Sequence, residues 1–297
     1  MLTMTPPNSV QTSAIAGENS TLLEWDTAEF DRCFNKQPFL IRHRLCENPL
    51  FSVERLLKLA QELPENDIEY NAGNLPINQD PDLTPRNGLS VADTVRRIKE
   101  CKSWMVLKHV ENDPAYGKVL DDCLAEVRTQ SEAIVPGMMS AHAYIFLTSP
   151  GSITPYHMDP EHNFLLQIHG SKIVHLFDGN DPSIVSQEDF ERFYGGRVRN
   201  MTLADENRSK SWVFDLQPGY GLHFPVTYPH FVQNCEEVSV SLSITFRTPD
   251  LDRRLGIHSI NWKLRQRGWK PSPVGKHRLL DWGKYQYYRA ARRLNMI

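Results

Sequence analysis

His157 and Asp159 are separated by one residue in "TPYHMDPEHN", the stretch from Thr154 to Asn163 that also holds Glu161, His162 and two prolines. Imidazole nitrogens and carboxylate oxygens are ligands for divalent transition metals. On an extended strand, residues two apart face the same side, so both side chains aim at one point. A third ligand is available downstream, where "GLHFPVTYPHFV" supplies His230 at the end of a strand-turn-strand segment. Two histidines and one carboxylate on a rigid β scaffold form the facial triad of non-haem Fe(II) sites, which leaves coordination positions open for a co-substrate and O₂. The HxD spacing is a weak motif by itself, because ordinary turns also produce it. Its weight comes from His230, which falls where a jelly roll would return to the same end of the barrel.

The elements that must position these residues are short. From residue 138 to 248 the runs "SAHAYIFLTS", "NFLLQIHG", "KIVHLFD", "SWVFDLQPG", "YGLHFPV" and "VSVSLSITFRT" are β-rich and separated by Gly, Pro, Asn and Asp. That texture predicts an antiparallel sandwich or barrel. In "VSVSLSITF", Val238, Val240, Leu242, Ile244 and Phe246 point one way, and Ser239, Ser241, Ser243 and Thr245 the other. Alternation of this kind fits a half-solvated edge strand, or a strand whose hydroxyls line a cavity for a polar ligand. Upstream, "FNKQPFLIRHRL" reads as a strand. Helices are expected over "FSVERLLKLAQELP", capped at Ser52, over "LSVADTVRRIKECKSW", capped at Ser90, and over "DPAYGKVLDDCLAEVRTQSE", opened by Pro114. The stretch "YNAGNLPINQDPDLTPRNG" reads as loop. After Thr248 two helical patterns are split by "WKPSPVG". The plan is a tail over 1–22, a helical or mixed layer over 23–137, a β core over 138–248 and basic helices over 249–297.

With 297 residues, 40% of them hydrophobic, the chain is long enough for one large core with appendages. No apolar run is long enough to cross a bilayer, and the polar N-terminal stretch has neither the basic start nor the apolar centre of a secretory signal, so a flexible tail is expected. Five scattered cysteines without a CxxC pair fit free thiols in a reducing cytoplasm. Charge is segregated: from Leu251 to Ile297 twelve Lys/Arg face two Asp/Glu, a local +10 that leaves −13 on the rest of a chain whose net charge is −3. The basic segment fits a docking surface for the acidic core or a dimer mate, a solvated helix face or, less well, a nucleic-acid contact.

"SITPYHMDPEHNFLLQIHGSKIVHLFD", followed by "GYGLHFPVTYPH", resembles the JmjC-type cupin oxygenases, including the asparaginyl hydroxylase of hypoxia-inducible factor and its bacterial cupin-like relatives. The resemblance spans roughly Ser140 to Phe246. It rests on a T-P-x-H-x-D start, an N-F-x-x-Q-I-x-G-x-K continuation and an F-P-x-x-x-x-H return. It implies a double-stranded β-helix and an enzyme using Fe(II), O₂ and 2-oxoglutarate, which is split to succinate and CO₂ while a C–H bond is hydroxylated. By the same resemblance His157, Asp159 and His230 are the metal ligands. Lys172 holds the distal carboxylate of 2-oxoglutarate, Thr154 and Asn163 hydrogen-bond it, and Tyr144 lies on the pocket-lining strand. Where the asparaginyl hydroxylase carries an asparagine on the last strand, this chain has Thr245. The implied substrate is an amino-acid side chain in a peptide or protein, or a free amino-acid-like molecule, and the implied assembly is a homodimer through the C-terminal helices.

Rival readings accompany each assignment. Arg247 shares the parity of Ser243 and Thr245 and is the alternative carboxylate clamp to Lys172. His162, His169, His175 and His223 are expected to be structural, with His162 on a loop. Glu161 is expected in solvent, and Trp104 and Trp212 in the core. The alternative function is a non-enzymatic cupin that binds a ligand or regulates transcription, with its basic tail on nucleic acid; another keeps the triad but uses a different metal for hydrolysis or isomerisation.

Overall fold

A computed structural model describes residues 21–80, 83–294 and 296. The expected tail lies outside the described residues up to position 20. Its last residue is anchored instead: the backbone N–H groups of Leu22 and of the following Leu23 donate to the two oxygens of Glu126 at 2.7 and 2.8 Å.

In chain order the elements begin with β1 (Leu23–Glu24), α1 (Thr27–Cys33), β2 (Phe39–His43), α2 (Val53–Glu62), β3 (Ile68–Ala72), α3 (Val91–Arg96), β4 (Ser103–Leu107) and α4 (Pro114–Ile134). The central strands follow as β5 (Met139–Thr148), β6 (Ile153–His157), β7 (His162–His169) and β8 (Lys172–Leu176). After α5 (Gln187–Gly196) come β9 (Trp212–Leu216), β10 (Tyr220–Phe224), β11 (His230–Asn234) and β12 (Ser239–Arg247), then α6 (Pro249–Arg265) and α7 (Arg278–Arg293). Ser52 and Ser90 cap their helices as expected, each accepting from the backbone N–H three residues on. Asp113 caps α4, with Pro114 in the first turn.

The strands form two antiparallel sheets. The larger runs β1-β2-β10-β7-β12-β5-β4-β3 and the smaller β6-β11-β8-β9. Between them, Leu165, Leu222 and Phe224 of the large sheet meet Val174, Leu176, Leu216 and Val232 of the small one in a buried cluster. This is the jelly roll the sequence predicts. The stretch read as a helical or mixed layer also supplies four strands, β1 to β4, which extend the large sheet at both edges. Tyr70 to Ala72, expected to be loop, belong to β3 and pair with β4.

β12 is not an edge strand, because β7 and β5 flank it. Its apolar row, Val240, Leu242, Ile244 and Phe246, joins the core that also takes residues of α1, α2 and α4. Its hydroxyl row is turned between the sheets, where Lys172 of β8 donates to Ser241 Oγ at 2.6 Å. Both faces are therefore buried, one by hydrocarbon and one by polar partners, and neither needs solvent.

Candidate active site

His157 closes β6 and His230 opens β11, and the two are register partners across adjacent strands of the small sheet. Their ring centroids lie 4.2 Å apart. Each imidazole is fixed by its own backbone: His157 Nδ1 contacts the Pro155 carbonyl at 2.7 Å and His230 Nδ1 the Tyr228 carbonyl at 3.0 Å. A carbonyl only accepts, so Nδ1 carries the proton and the Nε2 lone pair of each ring is free. Both free nitrogens face Asp159, His157 Nε2 at 3.7 Å from Oδ1 and His230 Nε2 at 3.7 Å from Oδ2. One ligand atom from each of the three residues lies within 4.8 Å of the others.

The electrostatics keep this trio in ligand form. Burial, then the positive fields of His230 and Arg199, push His157 down to about 3, so it is neutral near pH 7. Burial likewise lowers His230. Burial alone would raise Asp159, but Arg199 and the two imidazoles outweigh it and hold this carboxyl well below the usual carboxylate range. Two neutral donors and one anionic donor around an open point suit a divalent transition ion.

The trio opens into a cavity of about 220 Å³ that is also lined by Lys172, Thr154 and Asn163. Lys172 is 4% exposed, and no salt bridge reaches it among the described residues. Its contact is the neutral Ser241 hydroxyl, which in turn donates a hydrogen bond to Gln167 Oε1 at 2.7 Å. Burial without a counter-ion pushes the ammonium down to about 7. Thr154 Oγ1 accepts from the Trp104 indole at 3.0 Å, which leaves the threonine proton free to donate. Asn163 Oδ1 accepts from Ser243 at 2.8 Å, which turns its amide nitrogen to other partners.

Several expectations require correction. Tyr144 and Thr245 are not among the residues that line the cavity. The Thr245 hydroxyl donates to the His142 carbonyl at 3.3 Å, and the Tyr144 ring packs beside His109 at 6.0 Å. Arg247 does not reach this cavity either and forms an ion pair with Asp252. Trp104 is cavity wall rather than core, because β4 joins the large sheet beside β5. Trp212 shares the inward parity of Phe214 and Leu216 but opens the edge strand β9, where it stays 37% exposed and stacks on Tyr228. Glu161 is half-buried, and burial together with the negative charge of Asp159 pushes its carboxyl up to about 7. His162 begins β7 instead of lying on a loop, and it stacks between Phe34 and Phe246 at 5.3 and 4.8 Å, away from the cavity.

Sequence reasoning missed Arg199. Its Nε donates to Asp159 Oδ1 at 3.1 Å, and its terminal nitrogen makes a second, shorter contact with the same oxygen. Oδ2 is thereby left facing His230. A guanidinium fork that occupies one carboxylate oxygen sets the direction of the other. Arg199→Ala is expected to weaken Fe(II) or Co(II) binding by about 10–100-fold, the usual cost of losing such a support, as measured by metal titration. Unchanged affinity would show that Asp159 needs no second partner.

No protein-family model matches the chain. Over 129 residues it is 30% identical to the Jumonji C domain-containing protein 5 of Drosophila melanogaster, a match covering 41% of this chain and 31% of that protein. Over 101 residues it is 30% identical to the JmjC domain-containing protein D of Dictyostelium discoideum, covering 31% and 22%. The matches thus span less than a third of either curated relative. The fold is similar to the X-ray structure of E. coli YcfD, with a TM-score of 0.54 and 15% identity over 90% of this chain and 67% of that one. The β core is a jelly roll of the fold seen in that structure. A second YcfD structure, described as a ribosomal oxygenase in complex with cobalt and 2-oxoglutarate, superposes at a TM-score of 0.49 with 14% identity over 89% of this chain and 65% of that one. Within this jelly roll the two histidines sit on the small sheet, with Asp159 just past the end of β6, and Trp104, Phe146, Asn163 and Leu165 on the large one, so the cavity is enclosed by both layers.

Proposed function

We propose that the chain is an Fe(II)- and 2-oxoglutarate-dependent oxygenase that hydroxylates a C–H bond of an amino-acid side chain in a peptide or protein. The observation that carries this reading is a buried, uncompensated ammonium, Lys172, in the same cavity as His157, Asp159 and His230. A buried cation without a counter-ion is costly, and an anionic ligand removes that cost. Bound Fe(II) would supply O₂ activation coupled to the decarboxylation of 2-oxoglutarate to succinate and CO₂. The chain's own residues do the rest. The two imidazoles present free Nε2 atoms, and Arg199 directs Asp159. Lys172 and the Thr154 hydroxyl offer donors to a carboxylate at the far end of the cavity, and Asn163 offers its amide. Apolar Leu165, Phe224 and Val232 keep water from the walls between.

Purified protein supplied with Fe(II), ascorbate and 2-oxoglutarate is expected to release succinate, read by NMR. Absence of succinate, with or without candidate peptides, would support the non-enzymatic cupin instead. A cytoplasmic setting fits the five free cysteines. Among the described residues, no helix is long and apolar enough to cross a membrane.

The same reading includes a homodimer through the C-terminal helices. On α7, Leu279 is 86% exposed and Leu280, Trp282 and Tyr287 are exposed as well, an apolar seam that a second copy would cover. Light scattering after size exclusion is expected to give twice the chain mass of 34.2 kDa. Leu279→Glu is expected to give the monomer.

A further inference from the structure

Away from the cavity, α7 carries a second chemistry on the flank of its apolar seam. Tyr285, Tyr288, Arg289 and Arg292 recur at helical spacing and, with Arg293 and Arg247, line a groove of about 440 Å³ between α7 and the start of α6. Gly256 lets the Tyr288 ring lie directly on α6, where a Cβ would meet it at 2.5 Å. Each tyrosine carries a guanidinium over its ring, Arg289 over Tyr285 and Arg292 over Tyr288, both at 5.9 Å.

This groove is not neutralised from within. Its acidic member, Asp252, is taken by Arg247, and no salt bridge reaches Arg289, Arg292 or Arg293 among the described residues. At the groove's inner end the Arg247 Nε is buried and has no hydrogen-bond partner. The unmet donors are guanidiniums, which match phosphate oxygens in fork geometry, and the Tyr285 ring beside them offers a π-face while Tyr288, packed on α6, holds Arg292 in place. Arginines interleaved with stacking rings suit an unpaired strand, whose bases are free to stack, more than a duplex presenting only its backbone. The charge segregation reinforces the match, since the segment from Leu251 to Ile297 carries +10 and the remainder of the chain −13.

The geometry points to a binding site for single-stranded nucleic acid, with the arginines on successive phosphates and Tyr285 on a base. The inference is independent of the chemistry proposed for the cavity.

Fluorescence anisotropy with a labelled twelve-nucleotide oligouridylate tests it on the full chain. Three unpaired guanidiniums predict a log–log salt slope of about −2, or roughly a twenty-fold loss of affinity between 50 and 200 mM salt. Arg289→Glu with Arg292→Glu is expected to weaken binding at least ten-fold and to flatten the slope to about −0.7. Lys276→Glu with Arg278→Glu makes the same charge change elsewhere on the C-terminal segment and should stay within two-fold of the parent. Tyr285→Leu should weaken binding about five-fold with the slope unchanged. Circular dichroism and an unchanged melting temperature verify that the variants fold. No binding at 50 mM salt overturns the proposal. So does an equal loss in both double variants, or displacement of the oligonucleotide by polyglutamate or phosphatidylserine vesicles as readily as by unlabelled RNA.

Discussion

His230→Ala is expected to remove metal-dependent 2-oxoglutarate turnover altogether and to weaken Fe(II) or Co(II) binding by a hundred-fold or more. Four-ligand structural zinc sites release about 10–16 kcal/mol on binding, so one ligand is worth about 3 kcal/mol, and 1.4 kcal/mol is a factor of ten. The loss should be specific to the ligand. His230 is pinned by the Tyr228 carbonyl and packs edge-on against Phe224 at 4.6 Å, so the alanine leaves a small cavity without disturbing the register with His157. His175→Ala is the matched control. That ring sits one residue outside the inward parity of β8, stacked on Phe231 at 4.3 Å, and its removal should leave metal affinity unchanged. If His230→Ala retained full turnover, the metal would have to be held elsewhere and the proposed centre would fall.

Lys172→Met is expected to move function and stability in opposite directions. Function falls because the distal carboxylate of 2-oxoglutarate loses a buried charge-assisted partner, a loss of about 3 kcal/mol or on the order of a hundred-fold in affinity. Stability without ligand rises, by about 2 kcal/mol or a few degrees in Tm, because an apolar chain of similar length replaces an ammonium that only a serine hydroxyl satisfies. The pH dependence separates the two effects. With its folded pKa lowered to about 7, Lys172 binds fewer protons folded than unfolded between pH 7 and about 10.4. Its destabilisation is therefore fully present below pH 7 and relieved as pH rises across that window. Ligand affinity runs the other way: above pH 7 the amine must take up a proton to meet the carboxylate, so affinity falls by roughly ten-fold per pH unit. Calorimetry in buffers of different ionisation enthalpy would register that proton uptake. A methionine variant with parental affinity and the same pH profile would assign the carboxylate to another residue.

Much of this was legible in the sequence, for identifiable reasons. The HxD pair survives as a local signal because its two ligands are neighbours in the chain, although β6 ends at His157 and Asp159 reaches the site from the turn that follows. The strands of the core announce themselves by β-branched runs between turn residues. β6 and β11 were harder to read, since "ITPYH" and "HFVQN" mix proline, histidine and amides in place of a clean alternation. β2 was legible in "FLIRH", but β1, β3 and β4 were hidden among helices and are defined by long-range pairing, which no local window contains. Trp104 and Arg199 became part of the cavity for the same reason. One arrives on a strand recruited from the N-terminal stretch, the other on an irregular segment after α5, and neither has a period to betray it. Glu161 was misjudged because a turn position says nothing about what other elements pack over it.

Along the small sheet, Asn234 sits opposite Lys172, Val232 opposite Val174 and His230 opposite Leu176. The cationic rung and the metal-facing rung are thus four residues apart, about 13 Å along the strand before the side chains lean toward one another. That interval is set by backbone hydrogen bonds and does not stretch. On the proposed reading it makes the cavity a ruler: a diacid with a shorter carbon chain would satisfy one end and leave the other unmet, so dicarboxylates would be selected by length before any contact distinguished their substituents.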